Sequence, residues 1–239
     1  MADVWFVRHG ESLANAGFAT RTTKETELTS LGIKQSELVA KYIVQSAEKQ
    51  PTLIVSSSYV RAELTAQYTK NLFPTVPYEI WQVQEFTYLA VQDNRNTTQE
   101  ERKPQRDRYW ELYDPFYRTS KTTESFASFF KRTHDILEHL RHREQDDFIV
   151  IFSHEQFIHA VIWLLEDYPK TSQLRNTMLN FHQSLKNPLP NGSILKIEIS
   201  ESSKSRIKDY IVSHLEATSE TASSSKNEET MSLSRGNTW

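Results

Sequence analysis

Short apolar runs alternate along this chain with stretches whose apolar residues recur every three or four positions, the pattern of a sheet whose strands are joined through helices. Val4-Trp5-Phe6-Val7 is the first run, and it passes without a break into Arg8-His9-Gly10-Glu11-Ser12. Thr29 then offers an N-cap to a helix whose Leu31, Leu38, Val39, Tyr42 and Ile43 fall on or near one face. Leu53-Ile54-Val55 predicts a second strand, ending in Ser56-Ser57-Ser58. The helix after it places Val60, Leu64, Tyr68 and Leu72 four residues apart. Tyr78 to Val83 predicts a weaker strand at a sheet edge. A regular pattern returns over 124–140, where Phe126, Phe129, Phe130, Thr133, Leu137 and Leu140 make a broad apolar stripe. Phe148 to Phe152 is a further strand, leading into Ser153-His154-Glu155, and the next helix carries Ile158, Val161, Ile162 and Leu165. Ser193 to Ile199 predicts the last strand of the sheet, with 207–212 adding an edge strand.

The expected fold is a three-layer α/β/α sandwich, a mostly parallel sheet flanked by helices, built from residues 1–215 as one catalytic domain. Between Gln92 and Thr123 the periodicity is lost. That segment mixes Arg95, Arg102, Lys103, Arg106 and Arg108 with Tyr109, Trp110, Tyr113, Phe116 and Tyr117. A long irregular segment inside a compact domain is functional or disordered, and the aromatic content speaks against disorder. Residues 92–123 are therefore expected to form a cap insertion over a site. From Glu216 to Trp239 serine, threonine and glutamate dominate, which predicts a disordered tail.

Composition narrows the function. The chain of 239 residues holds no cysteine, so disulfides, thiol catalysis and thiolate metal sites are excluded. Its net charge of -3 argues against broad binding to nucleic acid or anionic membranes. The basic-aromatic mixture of 92–123 is itself interleaved with Glu100, Glu101, Asp107, Glu111 and Asp114. No apolar run reaches transmembrane length, and Arg8 follows the early hydrophobic run, against the order of a signal peptide. A cytoplasmic location is the expectation, with export through a dedicated secretion apparatus as the alternative. Neither a GxGxxG nor a Walker-type loop is present, so no loop-cradled nucleotide is expected.

Two strands thus end in histidines, His9 and His154, with Arg8 beside the first. In open α/β sheets ligands sit at the carboxyl ends of the strands. Imidazoles and guanidinium groups gathered there suit an anion, most simply a phosphate.

The order of these motifs resembles the histidine phosphatase superfamily, also called the phosphoglycerate mutase-like family. The resemblance runs from residue 3 to about 199. It rests on Arg8-His9-Gly10-Glu11-Ser12, Leu28-Thr29 with Gly32 and Gln35, Ser56-Ser57 with Arg61-Ala62 and Thr65-Ala66, Glu85, Glu124-Ser125-Phe126, Ser153-His154 and Asn191-Gly192-Ser193. It implies a phosphomonoesterase that needs no metal or cofactor. His9 would be the nucleophile, forming a phosphohistidine that water hydrolyses. Arg8 and Arg61 would clamp the phosphoryl oxygens, Asn15 would donate a hydrogen bond to them, and His154 would stabilise charge from the opposite side. Glu85 would protonate the leaving oxygen and then activate water, with Asp93 as the competing candidate. The implied partner is a small phosphorylated molecule. Glu155 departs from the family, which has glycine after the second histidine: a carboxylate there either tunes the pocket to a different substrate or faces another cation. A phosphoglycerate mutase and a non-catalytic phospho-ligand or protein-binding module are the alternatives on the same fold. His134, His139, His142, His159, His182 and His214 match no motif and are read as structural or surface groups.

Overall fold

The computed structural model describes residues 1–90, 94–166, 173–200 and 205–215. The tail predicted from Glu216, like Gln92 and Asp93, lies outside the described residues. Six strands form one sheet: β1 (Ala2–Arg8), β2 (Leu53–Ser56), β3 (Tyr78–Ile80), β4 (Phe148–Ser153), β5 (Ile194–Ile199) and β6 (Arg206–Ile211), in the order β3-β2-β4-β1-β5-β6. The first four are mutually parallel, while β5 runs antiparallel to both β1 and β6. Strands β1, β2 and β4 are buried along almost their whole length, which is why they read as continuous rather than alternating apolar runs.

Helices cover both faces, completing the expected sandwich. On one side α1 (Ser30–Ser46) and α2 (Val60–Leu72) pack Val39, Ile43 and Ala66 against Trp5, Val7, Ile54, Val150 and Phe152. On the other lie α4 (Phe126–Arg141), α5 (Glu155–Glu166) and α6 (Leu174–Ser184), with α3 (Lys103–Glu111) beside them. Their Phe129, Phe157, Phe181 and Trp110 meet Val4, Phe6, Ile149 and Ile151. The caps follow the sequence: Thr29 accepts from the Gly32 amide at 3.0 Å and Ser125 from the Ser128 amide at 3.2 Å.

Several elements differ from the sequence expectation. The four-apart set on α2 is not its buried face: Leu64 and Leu72 are 40% and 50% exposed, and Arg61, Ala62, Thr65, Ala66 and Thr69 turn inward. Small and hydroxyl side chains bring this helix close to the sheet beside the site. Likewise Leu31 on α1 is exposed, and Gly32 and Ser36 take the inward positions. The cap segment is not wholly irregular. It contains α3, whose apolar content is concentrated in Tyr109 and Trp110 at its last turn, too few positions to set a period. Helix α6 occupies a stretch for which the apolar pattern supplies no element. No helix among the described residues is long and apolar enough to cross a membrane.

Candidate active site

Parallel pairing places the two histidine-bearing strand ends side by side. Arg8 stands opposite Ser153, and the His9 amide donates to the Ser153 carbonyl at 3.1 Å, so His9 and His154 leave the sheet together, with ring centroids 5.1 Å apart. Behind them the chain turns so closely over α1 that only glycine fits. A Cβ on Gly10 would lie 2.3 Å from the Gly32 carbonyl oxygen, and one on Gly32 would lie 2.0 Å from that of Glu11. Thr65 of α2 accepts the Gly10 amide at 3.0 Å, and Asn191 donates to the His9 carbonyl at 3.0 Å. The His9 backbone is thereby held from three elements.

The ring of His9 is fixed as firmly. Its Nδ1 donates to the Gly10 carbonyl at 2.7 Å, which leaves Nε2 with a lone pair, and Arg61 Nε donates to that atom at 2.9 Å. Burial, reinforced by Arg61 and Arg8, holds the His9 pKa well below the ordinary histidine value, so the ring is neutral at neutral pH. His154 is held low for the same first reason, burial, with Arg61, His9 and Arg8 adding to it. It is fully buried; its Nε2 lies 2.7 Å from Ser57 Oγ and its ring edge meets Tyr59. His154 thus packs against the His9 ring without itself lining the cavity around it.

Around His9 opens a cavity of about 410 Å³ lined by Arg8, Asn15, Arg61, Glu85 and Glu155 among others. Arg61 is 8% exposed, and burial lowers its pKa to about 10, still well above neutrality, so it remains a cation. Glu85 sits in the loop after β3, partly accessible where it faces the cavity. Its Oε1 accepts from the Phe86 amide at 3.2 Å and from the Gln156 amide in the first turn of α5 at 3.0 Å. Burial pushes this carboxyl up to about 7 and Glu155 adds to the rise, against the opposing pull of Arg61 and Arg8. Asn15 is exposed at the rim, its amide oxygen accepting from Ser12 Oγ at 2.8 Å and from Asn191 at 3.2 Å, so its NH₂ is the end left for an anion. Glu155 faces a cation: its Oε2 lies 2.9 Å from an Nη of Arg8. All seven residues singled out by sequence therefore converge, six on the cavity and His154 behind it. Among the described residues no three or more His, Cys, Asp or Glu side chains gather as a metal site.

Residues 4–210 match the profile of the histidine phosphatase superfamily, branch 1. The chain belongs to that superfamily. It shares 23% identity over 187 residues with a metal-independent phosphoserine phosphatase of Arabidopsis thaliana, covering 75% of each chain. Among solved structures, an Entamoeba histolytica phosphoserine phosphatase in complex with phosphoserine superposes with a TM-score of 0.66 at 22% identity, over 88% of this chain and 96% of the other. A mycobacterial glucosyl-3-phosphoglycerate phosphatase gives 0.63 at 22% identity, over 86% and 96%. This histidine phosphatase is accordingly a phosphomonoester hydrolase of the phosphohistidine type.

The outer wall of its cavity was not legible in the motifs. Tyr88, Trp110 and His182 line it, the last two stacked at 4.5 Å between centroids and 7° between planes. His182, read from sequence as structural or surface, belongs to the pocket. Arg102, Arg106 and Lys186 also line the cavity, Arg102 buried with an Nη donating to the Thr97 carbonyl at 2.7 Å, and Asp107 is taken up by Lys103 at 2.6 Å. The basic-aromatic composition of the cap was the available signal; the missing part was α6, which brings His182 and, just beyond its end, Lys186.

Proposed function

We propose that His9 is the nucleophile of this phosphatase, Glu85 its proton donor, and Arg8 and Arg61 the clamp on the phosphoryl oxygens. The observation that carries the assignment is the pairing of protonation states in one cavity: at neutral pH the imidazole is neutral and free to attack, while the Glu85 carboxyl, raised to about 7, still carries its proton in a large share of molecules. In the first step the Nε2 lone pair forms a bond to phosphorus, the ester P–O bond breaks, and the Glu85 proton passes to the leaving oxygen. In the second, water attacks the phosphohistidine, Glu85 takes a proton from it, and the P–N bond breaks to release phosphate. Arg61, whose Nε donates to Nε2, transfers that donor to a phosphoryl oxygen as substrate enters.

The substrate we propose is a small phosphorylated molecule with a second negative group beyond the ester. Arg106 and Lys186, the more accessible cations of the cavity lining, support this, since Asp107 is already paired with Lys103. The named ligands of the Entamoeba neighbour, phosphoserine and 3-phosphoglyceric acid, have that character. Turnover of 4-nitrophenyl phosphate in excess chelator tests the chemistry. Activity is expected to persist with the metal removed; loss that a divalent ion restores would overturn it. Comparing phosphoserine with phosphoethanolamine tests the substrate class, with preference expected for phosphoserine.

A further inference from the structure

Three groups close a ring at the floor of the cavity. Arg8 gives one Nη to the Leu189 carbonyl and the other to Glu155 Oε2 at 2.9 Å, while Glu155 Oε1 accepts the Leu189 amide at 3.2 Å. The ring ties the end of β1, the first turn of α5 and the loop before β5 into one unit. Side-chain exposures of 9% for Arg8 and 20% for Glu155 keep the pair mostly out of water, so its charges are weakly screened within the cavity that both line. The third nitrogen of the guanidinium, Nε, is buried and has no partner among the described residues.

From this geometry we infer that Glu155 is a positioning residue for the reaction: it locks the Arg8 fork in place and cancels part of the charge that the pocket presents to a phosphate dianion. The inference rests on the phosphatase assignment above. With both histidines neutral, the fixed cations at the phosphoryl site are Arg8 and Arg61, and Glu155 offsets one of them. Inorganic phosphate is then held less tightly than two unopposed arginines would hold it, which favours release of the product. Glu155 also acts on the proton donor. Glu85 is faced by Arg61 from α2, by Arg8 from β1, by Glu155 and the Gln156 amide from α5, and by the Phe86 amide and the Tyr88 phenol from its own loop. Of the charged groups in that set Glu155 alone favours the protonated form, so Glu85 retains its proton into the neutral range partly because Glu155 is there.

The test uses the full chain, wild type and Glu155→Gln, with an alkyl phosphate and 4-nitrophenyl phosphate as substrates and inorganic phosphate and orthovanadate as inhibitors. Glutamine keeps the shape and an oxygen for the Leu189 amide while removing the charge. Inhibition constants for both anions are expected to fall about tenfold, the size of one partly screened charge. The alkaline limb of kcat/KM for the alkyl ester is expected to move to lower pH, an effect a merely structural role would not produce. Glu155→Asp, which keeps the charge but shortens the reach, is expected to lower kcat and leave the anion affinities near wild type. Should Glu155→Gln not fold, Glu155→Gly reads the same two quantities. Wild-type inhibition constants and an unmoved pH limb in a folded charge-removing variant would overturn the inference. Failure of the wild type to hydrolyse either ester would instead remove the phosphatase assignment itself.

Discussion

His9 draws its reactivity from its surroundings rather than from its residue type. The Gly10 carbonyl selects the tautomer, and burial with Arg61 and Arg8 keeps the ring unprotonated. His9→Ala is expected to lower turnover by roughly 10⁴-fold or more while leaving the thermal transition in place, because the imidazole lost is at a strand end and lines the cavity rather than filling the apolar core; acid-labile phosphoprotein labelling should vanish with it. Glu85 should separate activity from stability. Glu85→Gln is expected to reduce hydrolysis of alkyl phosphates about 10²- to 10⁴-fold, and to reduce that of 4-nitrophenyl phosphate less, since its leaving group needs little protonation. In the folded chain this carboxyl titrates near 7, against about 4.5 when unfolded, so the native state binds the extra proton. Its cost to stability is absent below about 4.5, grows as pH rises through the interval and is complete above 7. Melting of Glu85→Gln and wild type should therefore coincide near pH 4.5, whereas the variant should gain roughly 1–3 kcal/mol by pH 8. Arg8, His9, Arg61 and His154 were legible because strand ends and motif order mark them. The Glu155–Leu189–Arg8 ring was not, since Leu189 reaches it through a peptide group that any residue carries.

At the scale of elements, α2 shows how a site bends the ordinary rules of amphipathicity. Its inward face carries Arg61, Thr65 and Thr69, and Thr65 both donates to the Arg61 carbonyl at 2.7 Å and accepts the Gly10 amide. A helix whose buried side must hold a guanidinium and brace a loop cannot also be an apolar stripe, and for that reason its leucines mislead. Thr65→Val keeps the volume but orphans the Gly10 amide. It is expected to cost about 1–3 kcal/mol in urea unfolding and to lower kcat more than it raises KM, because the loop that aims His9 is loosened. By contrast α4 was legible almost to the residue, since Phe126, Phe129, Phe130, Thr133, Leu137 and Leu140 all face the core. Helix α3 was hidden by having just Tyr109 and Trp110 buried.

For the molecule as a whole, local patterns announced the strands and layers, but not the order in which the strands pair. That order depends on crossovers through α1, α2 and α4, whose landing places are set by packing on both faces of the sheet rather than by any one segment. Its outcome is that β1 lies inside, hydrogen-bonded to β4 on one edge and β5 on the other, with both faces covered. The proposed nucleophile is thus mounted at the end of a strand whose amides can meet solvent only when the domain comes apart. In native-state hydrogen exchange, protection at Val4, Phe6 and Val7 should equal the global unfolding free energy, while amides of α3 should exchange by smaller openings; fast exchange in β1 would contradict this. Breathing of this enzyme is then borne by the wall around the cavity, and the nitrogen proposed to attack phosphorus stays still through it.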